Sequence, residues 1–171
     1  MTETNISNKK QWPALLARLA VIAVLVGIDQ GSKAWVLSKL PAGEAVTVLP
    51  NLLQFRYVRN TGAAFSMLSG RTLFLTVITA LILAVAAAFL FLGKVRGRAD
   101  QLAVLLLVAG GAGNLIDRAT RHFVVDFIEV LFTNFAVFNF ADICVTTGAV
   151  LLILSTLWSF IKELRTPQDQ E

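Results

Sequence analysis

Charge, cysteine and histidine are all scarce in this sequence. Of its 171 residues only 15% are charged, against about 25% in an ordinary soluble domain. A soluble fold of this size keeps much of its surface in water and could not clothe it with so few charges. That excludes a soluble enzyme, a disordered chain and a coiled coil. The single cysteine, Cys144, excludes an internal disulfide and any multi-thiolate metal site. The single histidine, His122, excludes a multi-histidine zinc centre, and there is no H-E-x-x-H run. Neither a metal nor a cofactor is expected. The net charge of +4 comes from Lys and Arg scattered in short groups, with no basic stripe or interleaved aromatics. No nucleic-acid partner is expected from such a pattern. What abounds is hydrocarbon: 56% of the residues are hydrophobic and the mean hydropathy is +0.71. The bilayer is the solvent this composition fits.

About 20 apolar residues in a helix span the hydrocarbon core. Four stretches qualify, at approximately 13–28, 72–93, 102–116 and 143–161, within a single membrane-embedded domain over 1–171. Arg18 interrupts the first near its start, where it can snorkel to the interface. The third is short and ends at Asp117, so its end is expected to dip into a polar pocket. Lys9 and Lys10 before an apolar stretch also fit a secretory signal peptide. With no A-x-A-like site and a charged helical continuation over 29–39, an uncleaved first span is preferred. Four spans put tails 1–12 and 162–171 on the same side.

Between the first two spans, 45–48 and 53–58 read as β-like, the second placing Phe55 and Tyr57 on one face and Arg56 on the other. Pro50-Asn51 reads as the turn between them. The last connection holds an apolar run, 123–132, interrupted by Asp126 and Glu129. Lys and Arg tie by count, seven on each side. Three positive charges within 94–98 nevertheless favour that short loop, and with it both termini, as cytoplasmic.

The costly polar residues gather at the opposite face. Asp29 and Lys33 end the first span there, and Asn60 and Gly62 precede the second. Asn114, Asp117 and Arg118 end the third, Asp126 follows, and Asn139 and Asp142 open the fourth. Ionisable groups beside hydrocarbon are expensive and read as functional by default. Structural readings stand beside the functional one. Asn139 with Asp142 resembles an N-cap and a first-turn acid, Asp117 with Arg118 an ion pair, and Asp29 with Lys33 an i,i+4 pair. Gly110, Gly111 and Gly113 fit close helix packing; Cys144, His122, Ser66 and Ser69 fit packing or interface roles; Trp12, Trp35 and Trp158 fit interfacial anchors. Asp126, between Val125 and Phe127, has no cap role and no adjacent base.

Five segments, in order and spacing, resemble the motifs of bacterial lipoprotein signal peptidase, or signal peptidase II. They are Asp29-Gln-Gly-Ser-Lys33, Asn60-Thr-Gly-Ala-Ala-Phe65, Gly113-Asn-Leu-Ile-Asp-Arg118, Val124-Val-Asp-Phe127 and Phe138-Asn-Phe-Ala-Asp142. The resemblance runs from about residue 14 to 161. It implies an all-α polytopic membrane protein of four transmembrane helices, with a small extracytoplasmic β-rich cradle between helices 1 and 2. It implies an aspartic endopeptidase of the bacterial cytoplasmic (inner) membrane, with its site at the extracytoplasmic face. Such an enzyme removes signal peptides from prolipoproteins, cutting before the diacylglyceryl-modified cysteine. By resemblance the catalytic pair is Asp126 and Asp142; Asn60, Gly62, Asn114, Arg118 and Asn139 bind substrate or orient the pair; Asp29, Lys33 and Asp117 support the site. The implied partners are the lipid-modified precursor, membrane lipids and globomycin-type peptide inhibitors.

Two adjacent carboxylates suit peptide hydrolysis without metal or covalent nucleophile, since like charges that close share one proton. A Ser-Lys dyad is disfavoured because Ser32 and Lys33 are adjacent and do not face one another on a helix. A proton-coupled carrier would need a path through the midplane. Charges gathered at one surface offer none.

Overall fold

The computed structural model describes residues 3–41, 43–62 and 70–165, with the backbone alone over 3–11. The apolar stretches lie in four helices: α1 (Glu3–Lys39), α2 (Thr72–Phe91), α3 (Arg98–Arg121) and α4 (Phe140–Arg165). Each is long and apolar enough to cross a membrane. Their outward faces are bare hydrocarbon: Leu73 is 78% exposed, Leu164 70% and Trp158 69%. Such a surface would be a liability in water and is the required one in lipid.

The helix at the centre is α3, which packs against α1, α2 and α4. Its glycines make that possible. A Cβ at Gly110 would collide with the Ala141 carbonyl of α4, at Gly111 with Leu83 of α2, and at Gly113 with the Asp29 carboxylate of α1. Small residues let helix backbones approach where lipid supplies no hydrophobic drive. Arg18, near the start of the first span, reaches the adjoining ends of two other helices, its guanidinium donating to the Leu90 carbonyl at 3.0 Å and to Gln101 Oε1 at 2.9 Å. Carbonyls at a helix C-terminus attract a cation, and Arg18 ties α1 to α2 and α3.

At the opposite end sits an antiparallel sheet of β1 (Ala45–Leu49), β2 (Leu53–Asn60) and β3 (Val124–Val130), in that spatial order. Asn51 makes the hairpin turn with φ 61°, a left-handed conformation that asparagine tolerates. The sheet has one strand more than the pattern between the first two spans indicates. β3 comes from the apolar run before α4, where Val124, Val125, Asp126 and Phe127 are all buried. With both faces covered, no polar–apolar alternation betrays the strand. Tyr57, Val125 and Phe127 pack on Val36 and Leu40 of α1. Phe55 joins them edge-on, 5.9 Å from Trp35 and 5.7 Å from Phe127 between ring centroids. Phe55 and Tyr57 thus share the core face of β2, and Arg56 looks the other way into a cavity, as the alternation predicts. Residues 63–69, which include Ser66, Ser69 and the end of the Asn60 motif, lie outside the described residues.

Candidate active site

The first turn of α4 fixes Asp142. Asn139 is its N-cap: Asn139 Oδ1 accepts the Asp142 N–H at 3.0 Å, and Asp142 Oδ2 accepts the Asn139 N–H at 3.0 Å. This is a reciprocal capping box. The capping reading of this pair is therefore correct, and it leaves half of each side chain for other work. Asp142 Oδ1 accepts Asn114 Nδ2 at 2.8 Å. The Asn139 amide donates at 2.7 Å to Asp126 Oδ1 and at 3.1 Å to Asn114 Oδ1.

Asp126 comes from β3, opposite Val58 on β2. Its second oxygen accepts Asn60 Nδ2 at 2.9 Å. Each carboxylate therefore takes two amide donors, and Asn139 serves both. Asp126 is only 2% exposed. Its pKa is pushed up to about 7, first by burial and then by the charge of Asp142, against the pull of the Asn60 and Asn139 hydrogen bonds and of Lys33. A carboxyl near neutrality can hold a proton or give one up at physiological pH.

Beneath this pair lies a buried charge cluster. Lys33 Nζ sits 2.9 Å from Asp29 and 3.0 Å from Asp117, and donates to Asn114 Oδ1 at 2.9 Å. Both acids reach past the lysine to the backbone that carries the upper pair. Asp117 Oδ2 accepts the Val125 N–H at 3.1 Å, one residue before Asp126. Asp29 Oδ1 accepts the Ala141 N–H at 3.0 Å, one residue before Asp142. The i,i+4 pairing of Asp29 with Lys33 is present as expected. Asp117 does not pair with Arg118; its partners are Lys33 and Arg121. Neighbours on a helix diverge, whereas Arg121 lies one turn on.

Arg118 points elsewhere. It donates to the Gly62 carbonyl at 3.0 Å, while the Gly62 N–H is held by Asn60 Oδ1 at 2.9 Å. Its Nε is buried and has no hydrogen-bond partner among the described residues. All ten candidate site residues thus join one of two linked groups, the Asp126–Asp142 pair with its donors and the charge cluster below. Gln30 was not anticipated. Its amide donates to Asp29 at 3.0 Å and to the Gly113 carbonyl at 3.1 Å, beside Arg121. Helical spacing from Asp117 could have flagged Arg121, and the position of Gln30 inside the Asp29–Lys33 motif could have flagged Gln30.

Asp126 and Asp142 line a cavity of ≈ 470 Å³ that continues along the start of α4 past Ile143, Val145 and Thr146, with Arg118 on its wall. No group of three or more His, Cys, Asp or Glu placed to hold a metal ion occurs among the described residues.

The profile of the family described as Signal peptidase (SPase) II matches residues 21–158. A lipoprotein signal peptidase of Streptococcus pyogenes serotype M5 (strain Manfredo) is 40% identical over 143 residues, covering 82% of this chain and 93% of that protein. Its counterpart from serotype M3 (strain MGAS315) is 39% identical over the same length. A bacterial membrane enzyme solved in meso at 2.3 Å superposes with a TM-score of 0.80 at 32% identity, covering 91% of this chain and 93% of the other. A second, solved at 1.9 Å, gives 0.75 at 34% identity over 82% and 92%. Sequence match, fold and the convergence of the motif residues agree: the chain belongs to the signal peptidase II family of membrane peptidases.

Proposed function

We propose that Asp126 and Asp142 are an aspartic catalytic dyad that cuts the signal peptide from prolipoproteins just before the diacylglyceryl-modified cysteine. The observation that carries this reading is the bridging role of Asn139, which binds one carboxylate through its side chain and the other through its backbone. The two acids are held as a unit in the wall of a cavity that runs along α4. The family match supports the peptidase and its lipoprotein substrate.

In this mechanism the dyad shares one proton. The ionised member takes a proton from water as the oxygen attacks the scissile carbonyl, and the protonated member gives its proton to the carbonyl oxygen. The resulting diol collapses when the leaving nitrogen is protonated, releasing a new carboxyl and a new amine. Asp126, with its pKa raised to about 7, is the natural holder of the shared proton. Arg118, on the wall of the cavity, is placed to meet a backbone carbonyl of the substrate. Asn60 and Asn114 hold the dyad in register. Globomycin-type peptides would compete for the same cavity.

Asn60→Ala tests the proton assignment. Losing this donor removes support for the ionised form of Asp126, so its pKa rises further. The alkaline limb of the kcat/KM profile is expected to move to higher pH; a move to lower pH contradicts the assignment. The limb belongs to the pair and not to one residue.

The orientation that suits exported precursors places the basic 94–98 loop and both termini in the cytoplasm and the sheet outside the bacterial inner membrane. Reporter fusions at Gly97 are expected to read cytoplasmic and those at Gly43 extracytoplasmic. The reverse pattern would put the dyad on the wrong side of the membrane for its substrate.

A further inference from the structure

Two cavities meet at Asp126. The first is the one that runs along α4. The second, ≈ 510 Å³, lies against the sheet and is walled by Arg56, Val58, Glu129, Thr133 and Asn134. Asn60, Asp126, Phe135, Ala136 and Val137 line both. The two cavities therefore adjoin at Asp126, one along the membrane helices and the other on the polar face of the sheet.

An irregularity in the sheet puts the charged residues there. The Phe127 and Ile128 N–H groups both donate to the Phe138 carbonyl, at 3.0 and 2.7 Å. Consecutive amides aimed at one acceptor break the side-chain alternation, as in a β-bulge. The β2–β3 register also shifts between Phe55 and Val58. Asp126 and Glu129, three residues apart, thereby line the same cavity. Glu129 is gripped from β2 by Arg56, through Nη2 to Oε1 at 2.6 Å and Nε to Oε2 at 2.7 Å. The Arg56 side chain remains 40% exposed and that of Glu129 17%. Cross-strand support alone gives no reason for this pair to line a cavity beside the dyad.

We propose that the sheet-side cavity is the subsite for the polypeptide that follows the scissile bond, and that the Arg56–Glu129 pair reads the charge of its first residues after the lipidated cysteine. The proposal rests on the function given above. An apolar signal segment suits the cavity along the spans, and the chain beyond the cut must leave in the other direction, over a polar surface. There the pair presents both signs in near balance, with arginine the more accessible member. Removing one partner tips the balance toward the other charge.

The test uses full-length wild-type, R56Q and E129Q proteins in detergent micelles. Their substrates are lipidated precursor peptides identical except for Asp, Asn or Lys immediately after the modified cysteine. The readout is the ratio of kcat/KM for the Asp and Lys peptides, which does not depend on the folded fraction. E129Q is expected to raise the ratio and R56Q to lower it, each by roughly two- to fivefold, the range of a partly exposed charge pair. If a single variant is inactive, the swapped pair R56E/E129R keeps the ion pair and must shift the ratio toward Lys. Ratios unchanged from wild type, or moving in the same direction in both single variants, overturn the subsite. Failure of the wild-type protein to cleave any of the three peptides overturns the peptidase reading itself, and this proposal with it.

Discussion

Asparagine at either Asp126 or Asp142 is expected to lower kcat for precursor cleavage by on the order of 10³-fold or more, the scale of a lost general acid or base. The substitution keeps the shape but cannot carry the shared proton, and its NH2 replaces one of the two oxygens that accept N–H donors. The two acids act as one unit through Asn139, so the double variant should be scarcely slower than either single one. Initial rates on a lipidated peptide, compared among folded variants, check this. Multiplicative losses in the double variant would mean that the acids work independently. Near-normal turnover by either single variant would remove that residue from the chemistry.

The second large effect is on stability. Lys33 is fully buried between Asp29 and Asp117, themselves 1% and 0% exposed. Lys33→Met leaves two buried carboxylates facing each other, with Arg121 their remaining ion-pair partner among the described residues. Breaking a buried ion pair on one side costs about 3–5 kcal/mol. Unfolding in detergent should show a loss of that size, with activity falling too, because the same acids hold the backbone at Val125 and Ala141. Lys33→Met combined with Asp117→Asn restores part of the charge balance and should recover part of the stability. Asp29→Ala is milder. Lys33 keeps Asp117, and the direct loss is an unsatisfied Ala141 N–H, about 1–3 kcal/mol. Full stability in Lys33→Met would show that the cluster is not a keystone of the fold.

Much of this arrangement was legible from the residues. Long uncharged stretches announce helices because lipid demands internal hydrogen bonding, and polar residues interrupting them stand out by their cost. Asp126 was conspicuous for having no local role, and it proved to be held by groups distant in sequence. What could not be read was partner choice. Asp117 beside Arg118 looked like a pair, yet tertiary packing gave it Lys33, 84 positions away in the chain, and Arg121. The partners of Arg18 were hidden for the same reason, since the oxygens that accept from it belong to other helices. β3 was hidden because burial on both faces erases the period of two.

Mass analysis of the products formed by the purified protein from a synthetic diacylglyceryl-modified precursor peptide tests the central claim most directly. The expected result is a single cut, immediately before the modified cysteine, that survives chelators and serine- or thiol-directed reagents and vanishes in Asp126→Asn. An intact peptide, a cut elsewhere, or the same products from the folded Asp126→Asn protein would contradict it.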